Sequence, residues 1–199
     1  MKILIIGGKG TIGKKVSAHF SKTDEVLIAG RNSGDIKVDI SESSSIKTMF
    51  DTLGMVDAIV CCGGAAKWAL FNDLTEEDFY LGIRSKLMGQ VNLVKIGKDF
   101  LNPGGSITLT TGILADDPVM MTTSAALVNG GIHSFVKAAA LELENGIRVN
   151  VVAPGLVEDA VDKFQDYFPG YTAIPMDKVV KGYIRSVKGK VTGEIIRIY

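Results

Sequence analysis

The sequence is short of cysteine, of charge of either sign in excess, and of long apolar runs, and each shortage removes a class of protein. Only two cysteines occur, Cys61 and Cys62, and they are adjacent. Neighbours in an extended strand point to opposite faces, so a bond between them would be strained. No second pair exists to build a disulfide framework or a zinc site, and no metal centre is expected. Unpaired thiols suit a reducing compartment, so the expected location is cytoplasmic. Lys+Arg and Asp+Glu both number 22, which leaves a net charge of zero. A nucleic-acid binder needs clustered base for its phosphate contacts, and no nucleic-acid partner is expected. No apolar run approaches the roughly 18 residues of a membrane span, so no membrane partner is expected either. The apolar start, Met1-Lys2-Ile3-Leu4-Ile5-Ile6, is too short for a signal peptide and runs straight into glycines. It reads as a buried strand.

What is present is an ordinary globular balance, 46% hydrophobic and 22% charged in 199 residues. That suits one domain over 1–199 with a full core. Short β-branched runs alternate with longer helical patterns. Strands are expected at Ile3–Ile6, Glu25–Ala29, Ile36–Val38, Ala58–Cys61, Ile107–Thr111, Val149–Ala153 and Ile195–Ile198. Helices are expected at about Ile12–Phe20, at Ser41–Leu53 with Ser41 as cap, and at Thr75–Phe100 with Thr75 as cap. A further one covers about Thr123–Leu143. Asn102-Pro103-Gly104-Gly105 stops the third helix. After Pro154-Gly155 a loop and short helices are expected. This alternation predicts an α/β fold: a single doubly wound, Rossmann-type parallel sheet of about seven strands with helices on both faces.

Between the first strand and first helix lies Gly7-Gly8-Lys9-Gly10-Thr11-Ile12-Gly13. It fits G-x-G-x-x-G from Gly8 and G-x-x-G-x-x-G from Gly7. Glycines let the backbone turn tightly and approach a pyrophosphate, and the helix start at Thr11 and Ile12 presents free N–H groups to the anion. The strand-turn-helix setting is the one in which this motif means dinucleotide binding. The second strand ends Ala29-Gly30-Arg31-Asn32. An NAD binder carries an acid here for the ribose 2′-hydroxyl, whereas a guanidinium grips a 2′-phosphate. Arg31, with Lys9 in the loop, points to NADP(H) over NAD(H).

From these residues on, the chain resembles the short-chain dehydrogenase/reductase family over nearly its whole length. Val38-Asp39-Ile40 resembles the segment whose Asp meets the adenine. Cys61-Cys62-Gly63-Gly64 stands where the family has N-N-A-G beside the adenosine ribose. Gly105-Ser106-Ile107, Ala140-Leu141-Glu142-Leu143, Gly146-Ile147-Arg148-Val149-Asn150, Ala153-Pro154-Gly155 and Thr192-Gly193-Glu194 follow the family pattern. The resemblance therefore implies cofactor contacts from Gly7, Lys9, Gly10, Thr11, Ile12, Gly13, Arg31 and Asn32 on the phosphate side. It implies further contacts from Asp39, Ile40, Cys62, Gly63, Gly64, Asn129, Pro154 and Val157.

The family's catalysis rests on Ser, Tyr and Lys with a supporting Asn. Here ungapped alignment places Ala125 at the Tyr position and Asn129 at the Lys position. The Ser position falls on Gly112, or on Thr111 with a slip of one, and the Asn position on Lys86. Ala cannot donate a proton, so Lys86 and Thr111 are the candidate replacements, with bound water as a third. Ser124 neighbours the vacant position but points elsewhere. His133 and Arg84 read as surface residues, and Asp116-Asp117-Pro118 as a turn. Trp68 and Phe71 are candidates to roof a pocket, beside the aromatic-rich segment Phe164–Tyr171. The resemblance implies an NADP(H)-dependent oxidoreductase for a small carbonyl or alcohol, with a non-standard proton donor. The alternatives are a catalytically inactive NADP(H)-binding sensor and an interaction protein. A homo-oligomer through helices at about 75–100 and 123–143 is also implied.

Overall fold

The computed structural model describes residues 1–199. One seven-stranded sheet, parallel at every neighbouring pair, runs through the middle. Its strands are β1 (Lys2–Ile6), β2 (Glu25–Gly30), β3 (Ile36–Lys37), β4 (Val56–Cys61), β5 (Leu101–Thr110), β6 (Arg148–Pro154) and β7 (Ile195–Ile198). The order is β3-β2-β1-β4-β5-β6-β7. The chain first winds outward from β1 to β3, then crosses back to β4 on the other side of β1. Loops leaving β1 and β4 therefore diverge, and a crevice opens at their carboxyl ends.

The helices are α1 (Thr11–Phe20), α2 (Ser43–Leu53), α3 (Glu76–Gly82), α4 (Gly89–Gly97), α5 (Thr123–Glu142), α6 (Val161–Phe164) and α7 (Met176–Lys188). Strand alternation sorts them onto two faces. Ile3 and Ile5 of β1 pack with Val16 and Phe20 of α1 and with Val179 and Tyr183 of α7. Leu4 and Ile6 pack on the opposite side with Phe50 of α2, Leu93 of α4 and Ile132 of α5. Both faces of the strands are thus apolar, as a doubly covered parallel sheet requires. Each such aliphatic or aromatic side chain contributes about 1.5–3 kcal/mol when fully buried.

Four local expectations need correction. The helix expected over 75–100 is broken: a π-helical turn, Ile83–Met88, separates α3 from α4, and a 3-10 turn closes it at Lys98–Phe100. Its cap stands, with Thr75 and Asp78 forming a reciprocal capping box. Glycines at both ends of the π turn permit tight packing, since a Cβ on Gly89 would lie 3.0 Å from Ile40 and one on Gly82 3.3 Å from Ser124 Oγ. Ser41 does not cap α2. Its hydroxyl donates to Asp39 at 2.6 Å instead, and the helix starts at Ser43. β5 begins at Leu101, because Asn102-Pro103-Gly104-Gly105 bulges within the strand rather than preceding it, and Val56 and Ala58 face Leu101 and Ser106. Finally, α7 is a full helix where only short ones were expected.

The consensus-like stretch that leads into β6 and forms its start is structural. Arg148 donates to the Ser186 and Val187 carbonyls at 2.6 and 2.9 Å, holding the last turn of α7. Asn150 donates to Val191 O at 2.9 Å and accepts from Glu194 N–H at 3.1 Å, fixing the turn before β7. No helix is long and apolar enough to cross a membrane.

Candidate functional site

The glycine loop is shaped by two close approaches. Gly7 has φ +76°, a left-handed conformation, and a Cβ there would meet Cys62 C and Gly63 N at 3.1 Å. A Cβ on Gly13 would lie 2.1 Å from Gly7 O, so helix and loop can meet only through glycine. Gly10 is the N-cap of α1, with no side-chain cap and no acid in the first turn. The amides of that turn are therefore free for an anion, which the helix dipole favours. Lys9 is exposed and lines neither of the two clefts that flank the loop.

The outer cleft, ≈ 350 Å³, gathers Gly7, Arg31, Asn32, Asp39, Ile40 and Gly63. Arg31 Nε lies 3.1 Å from Asp39 Oδ2. Asp39 is held below the usual carboxylate range, first by the Ser41 hydroxyl, then by the Ser41 N–H and by Arg31. Its carboxylate therefore keeps donors even when Arg31 turns elsewhere. Gly64 lines both clefts and joins them. Cys62 departs from expectation: its side chain lines neither cleft and packs against the apolar face that holds Tyr183. Burial pushes the Cys61 thiol to about 11 and the Cys62 thiol to about 12, so both stay protonated and unreactive near neutrality.

The inner cleft, ≈ 320 Å³, lies beyond the ends of β4, β5 and β6. Thr11 and Ile12 enter it from α1, Pro154 from the end of β6 and Val157 from the loop that follows. Lys86, Thr111 and Asn129 bring the polar groups. The π turn places Lys86 against Gly64, whose Cβ would lie 2.9 Å from Lys86 Cγ, while Ser85 Oγ accepts from Ala65 N–H at 3.1 Å. Burial holds the Lys86 ammonium below the usual lysine range. Asn129 is buried, and its Oδ1 has no donor; Ser124 Oγ is likewise unpartnered. Ala125 contributes only a methyl. Trp68, Phe164 and Phe168 wall the outer end, with Trp68 and Phe164 centroids 5.1 Å apart. Phe71 is 67% exposed and roofs nothing.

Two further groups were misjudged or missed. His133 is not a surface residue. It is buried on α5, and its Nε2 lies 2.8 Å from Thr111 Oγ1. Gln90, buried on α4, pairs its amide with both N and O of Thr110 at 2.9 and 3.0 Å and so fixes the end of β5. Nothing in a single sequence signals either contact, because each joins residues about twenty apart. Arg84 is exposed, as expected, and pairs with Glu77.

A family profile described as Enoyl-(Acyl carrier protein) reductase matches residues 14–181. The chain is 27% identical over 150 residues to Glucose and ribitol dehydrogenase homolog 2 of Arabidopsis thaliana, covering 70% of this chain. It spans about half the length of that relative, 52%. Among solved structures it is similar to the protein lin1944 from Listeria innocua, with 46% identity, full coverage of both chains and a TM-score of 0.98. It is also similar to a small-chain dehydrogenase in complex with NADPH, with 27% identity, a TM-score of 0.88, and coverage of 100% of this chain and 96% of that one.

Proposed function

Because the chain belongs to the short-chain dehydrogenase/reductase family, we propose that it is an NADP(H)-dependent oxidoreductase for a small carbonyl or alcohol, using a proton donor other than the family's tyrosine. The observation that carries this reading is Arg31 in the outer cleft, at the end of β2, where an NAD-specific site presents an acid. Its guanidinium suits a 2′-phosphate, and Asn32 beside it adds a hydrogen-bonding side chain. The NADPH held by one structural relative supports the same choice.

The residues present fit such a cofactor. Gly7, Gly10, Gly13 and the first-turn amides at Thr11 and Ile12 would hold the diphosphate. Asp39, Ile40, Gly63 and Gly64 would hold the adenosine. Cys62 contributes backbone only, and Lys9 only long-range charge. Pro154, Val157 and Asn129 would face the nicotinamide half, and the unpartnered Asn129 Oδ1 fits an N–H or O–H donor from the ligand. When bound, the cofactor supplies a hydride. The chain's own part is to orient a carbonyl between Lys86 and Thr111, exclude water with Trp68 and Phe164, and provide a proton.

Several small aldehydes and ketones, tested by the loss of NADPH absorbance, check this. Turnover above background is expected for at least one. No turnover, with NADPH verified as bound, would contradict the enzymatic part. It would favour a catalytically silent NADP(H) sensor, which Ala125 in the cleft would suit. We further read the chain as one domain over 1–199 that self-associates through the 75–100 and 123–143 segments. The free thiols Cys61 and Cys62 support a cytoplasmic setting.

A further inference from the structure

We propose that Thr111 and His133 act as a proton pair, in which the charge on His133 decides whether the Thr111 hydroxyl donates or accepts in the inner cleft. The inference rests on the oxidoreductase reading and deepens it by naming the proton path. Thr111 follows β5 and lines the cleft, as Ala125 does. Its Oγ1 is 2.8 Å from His133 Nε2. The other ring nitrogen, Nδ1, faces Asp116 Oδ2 at 4.0 Å. A histidine that merely filled space would be wrapped in apolar atoms. This one has a polar group at each nitrogen, and one of those groups opens onto the cleft.

Every charged group around the ring can be named. Asp116 follows β5, Arg197 lies on β7, and Lys137 is one turn along α5. Arg197 donates to Asp116 at 2.9 and 3.1 Å, and the Tyr199 hydroxyl donates to it at 2.5 Å. Burial holds His133 below the ordinary histidine range; Asp116 opposes that shift, while Arg197 and Lys137 add to it. The ring is therefore neutral near neutral pH. Asp116 favours the hydrogen on Nδ1, which leaves Nε2 bare to accept from Thr111. Protonation of the ring reverses that bond: Nε2–H then donates to Thr111 Oγ1, and the Thr111 hydrogen turns to the cleft.

A carbonyl carbon that receives a hydride passes its π pair to oxygen. That oxygen takes the Thr111 hydroxyl proton, and Oγ1 takes the proton of His133 Nε2. The products are an alcohol, an oxidised nicotinamide and a neutral imidazole. In the reverse direction the alcohol proton passes to Thr111 and on to His133. Asp116, with its side chain 33% exposed, provides the polar route by which the ring regains its proton from solvent. Thr111 touches the substrate, whereas His133 acts through it as a positioning residue.

Nitrogen NMR of the ligand-free protein labelled at histidine is the test. His19 and His133 give two pairs of ring-nitrogen signals, and His133→Gln assigns the pair that belongs to His133. The expected neutral form of His133 has hydrogen on Nδ1 and a bare Nε2, and Thr111→Val shifts the Nε2 resonance and the titration midpoint. Hydrogen on Nε2 in the neutral form, or no response to Thr111→Val, would overturn the proposal. A second arm follows the pH profile of NADPH oxidation with the carbonyl that turns over. The rate should fall as pH rises through the His133 midpoint. His133→Gln keeps an amide to meet Thr111 but cannot titrate, so it should flatten the profile and lower kcat about 100-fold. An unchanged profile would overturn the pair. If no carbonyl turns over, the oxidoreductase reading and this inference fall together. If NADPH binds but the NMR response is missing, only the proton pair falls.

Discussion

Asn129 keeps a bare carbonyl oxygen inside the protein, and that is an expensive arrangement without a ligand. A buried polar atom with no partner costs about 1–3 kcal/mol. Replacing it by an apolar group of similar size removes the cost and the ligand contact together. Asn129→Leu is therefore expected to raise the stability of the ligand-free protein by about 1–3 kcal/mol. It should also shrink the gain in Tm that NADPH confers, and denaturant and thermal melts with and without NADPH measure both. Lower stability with an undiminished NADPH gain would mean that Asn129 serves the fold alone. Such single side chains were unevenly legible in the sequence. Gly7 and Gly13 announced themselves by spacing, because the steric need for glycine is local. His133 did not, since its meaning lies in a contact with Thr111, 22 residues away. Cys62 misled for a related reason: its position beside the loop was right, but strand alternation turned its sulfur to the far face.

Helices and strands were legible where burial is one-sided or continuous. All seven strands were anticipated, with ends within two residues except for β5, which starts six residues earlier than expected. The break between α3 and α4 was not, because hydrophobic spacing continues through it; only Gly82 and Gly89 mark the place. That π turn aims Ser85 and Lys86 at Gly64 and Ala65, a common use of such turns at functional sites. Helix α7 was missed although Met176, Val179, Val180, Tyr183 and Val187 recur at helical spacing and are all buried. Helix α5 carries a prediction. Its exposed side holds Leu127, Ser134, Ala138 and Leu141, so small residues lie between two exposed leucines. Such a stripe lets a second copy approach closely. Light scattering should give the wild-type chain a mass above that of one copy. Ala138→Arg should reduce it to one copy that still unfolds cooperatively, because the position is exposed in the isolated chain. A wild-type mass of one copy would exclude this interface.

The architecture as a unit followed from alternation of strand and helix, since right-handed crossovers leave few ways to order a parallel sheet. The strand order puts the glycine loop, the end of β2 and the loop after β4 around one crevice, and this is why residues as distant as Gly7, Arg31 and Gly64 share it. From the sequence an ordinary cofactor half joined to an altered reactive half is expected, and the NADPH titrations and carbonyl assays test that expectation. The sequence could not supply the two clefts, the pairing of Arg31 with Asp39, or the polar chain from Thr111 to Asp116. Under the proposed function, Arg31 recognises the phosphate on the adenosine side of a dinucleotide held by the α1 amides. Calorimetric titration of NADPH and NADH into wild type and Arg31→Ala tests it most directly. The wild type should prefer NADPH by roughly 10–100-fold, the worth of a charge-assisted hydrogen-bond pair, and Arg31→Ala should abolish that preference. Equal affinities in the wild type, or no saturable heat with either dinucleotide, would contradict it.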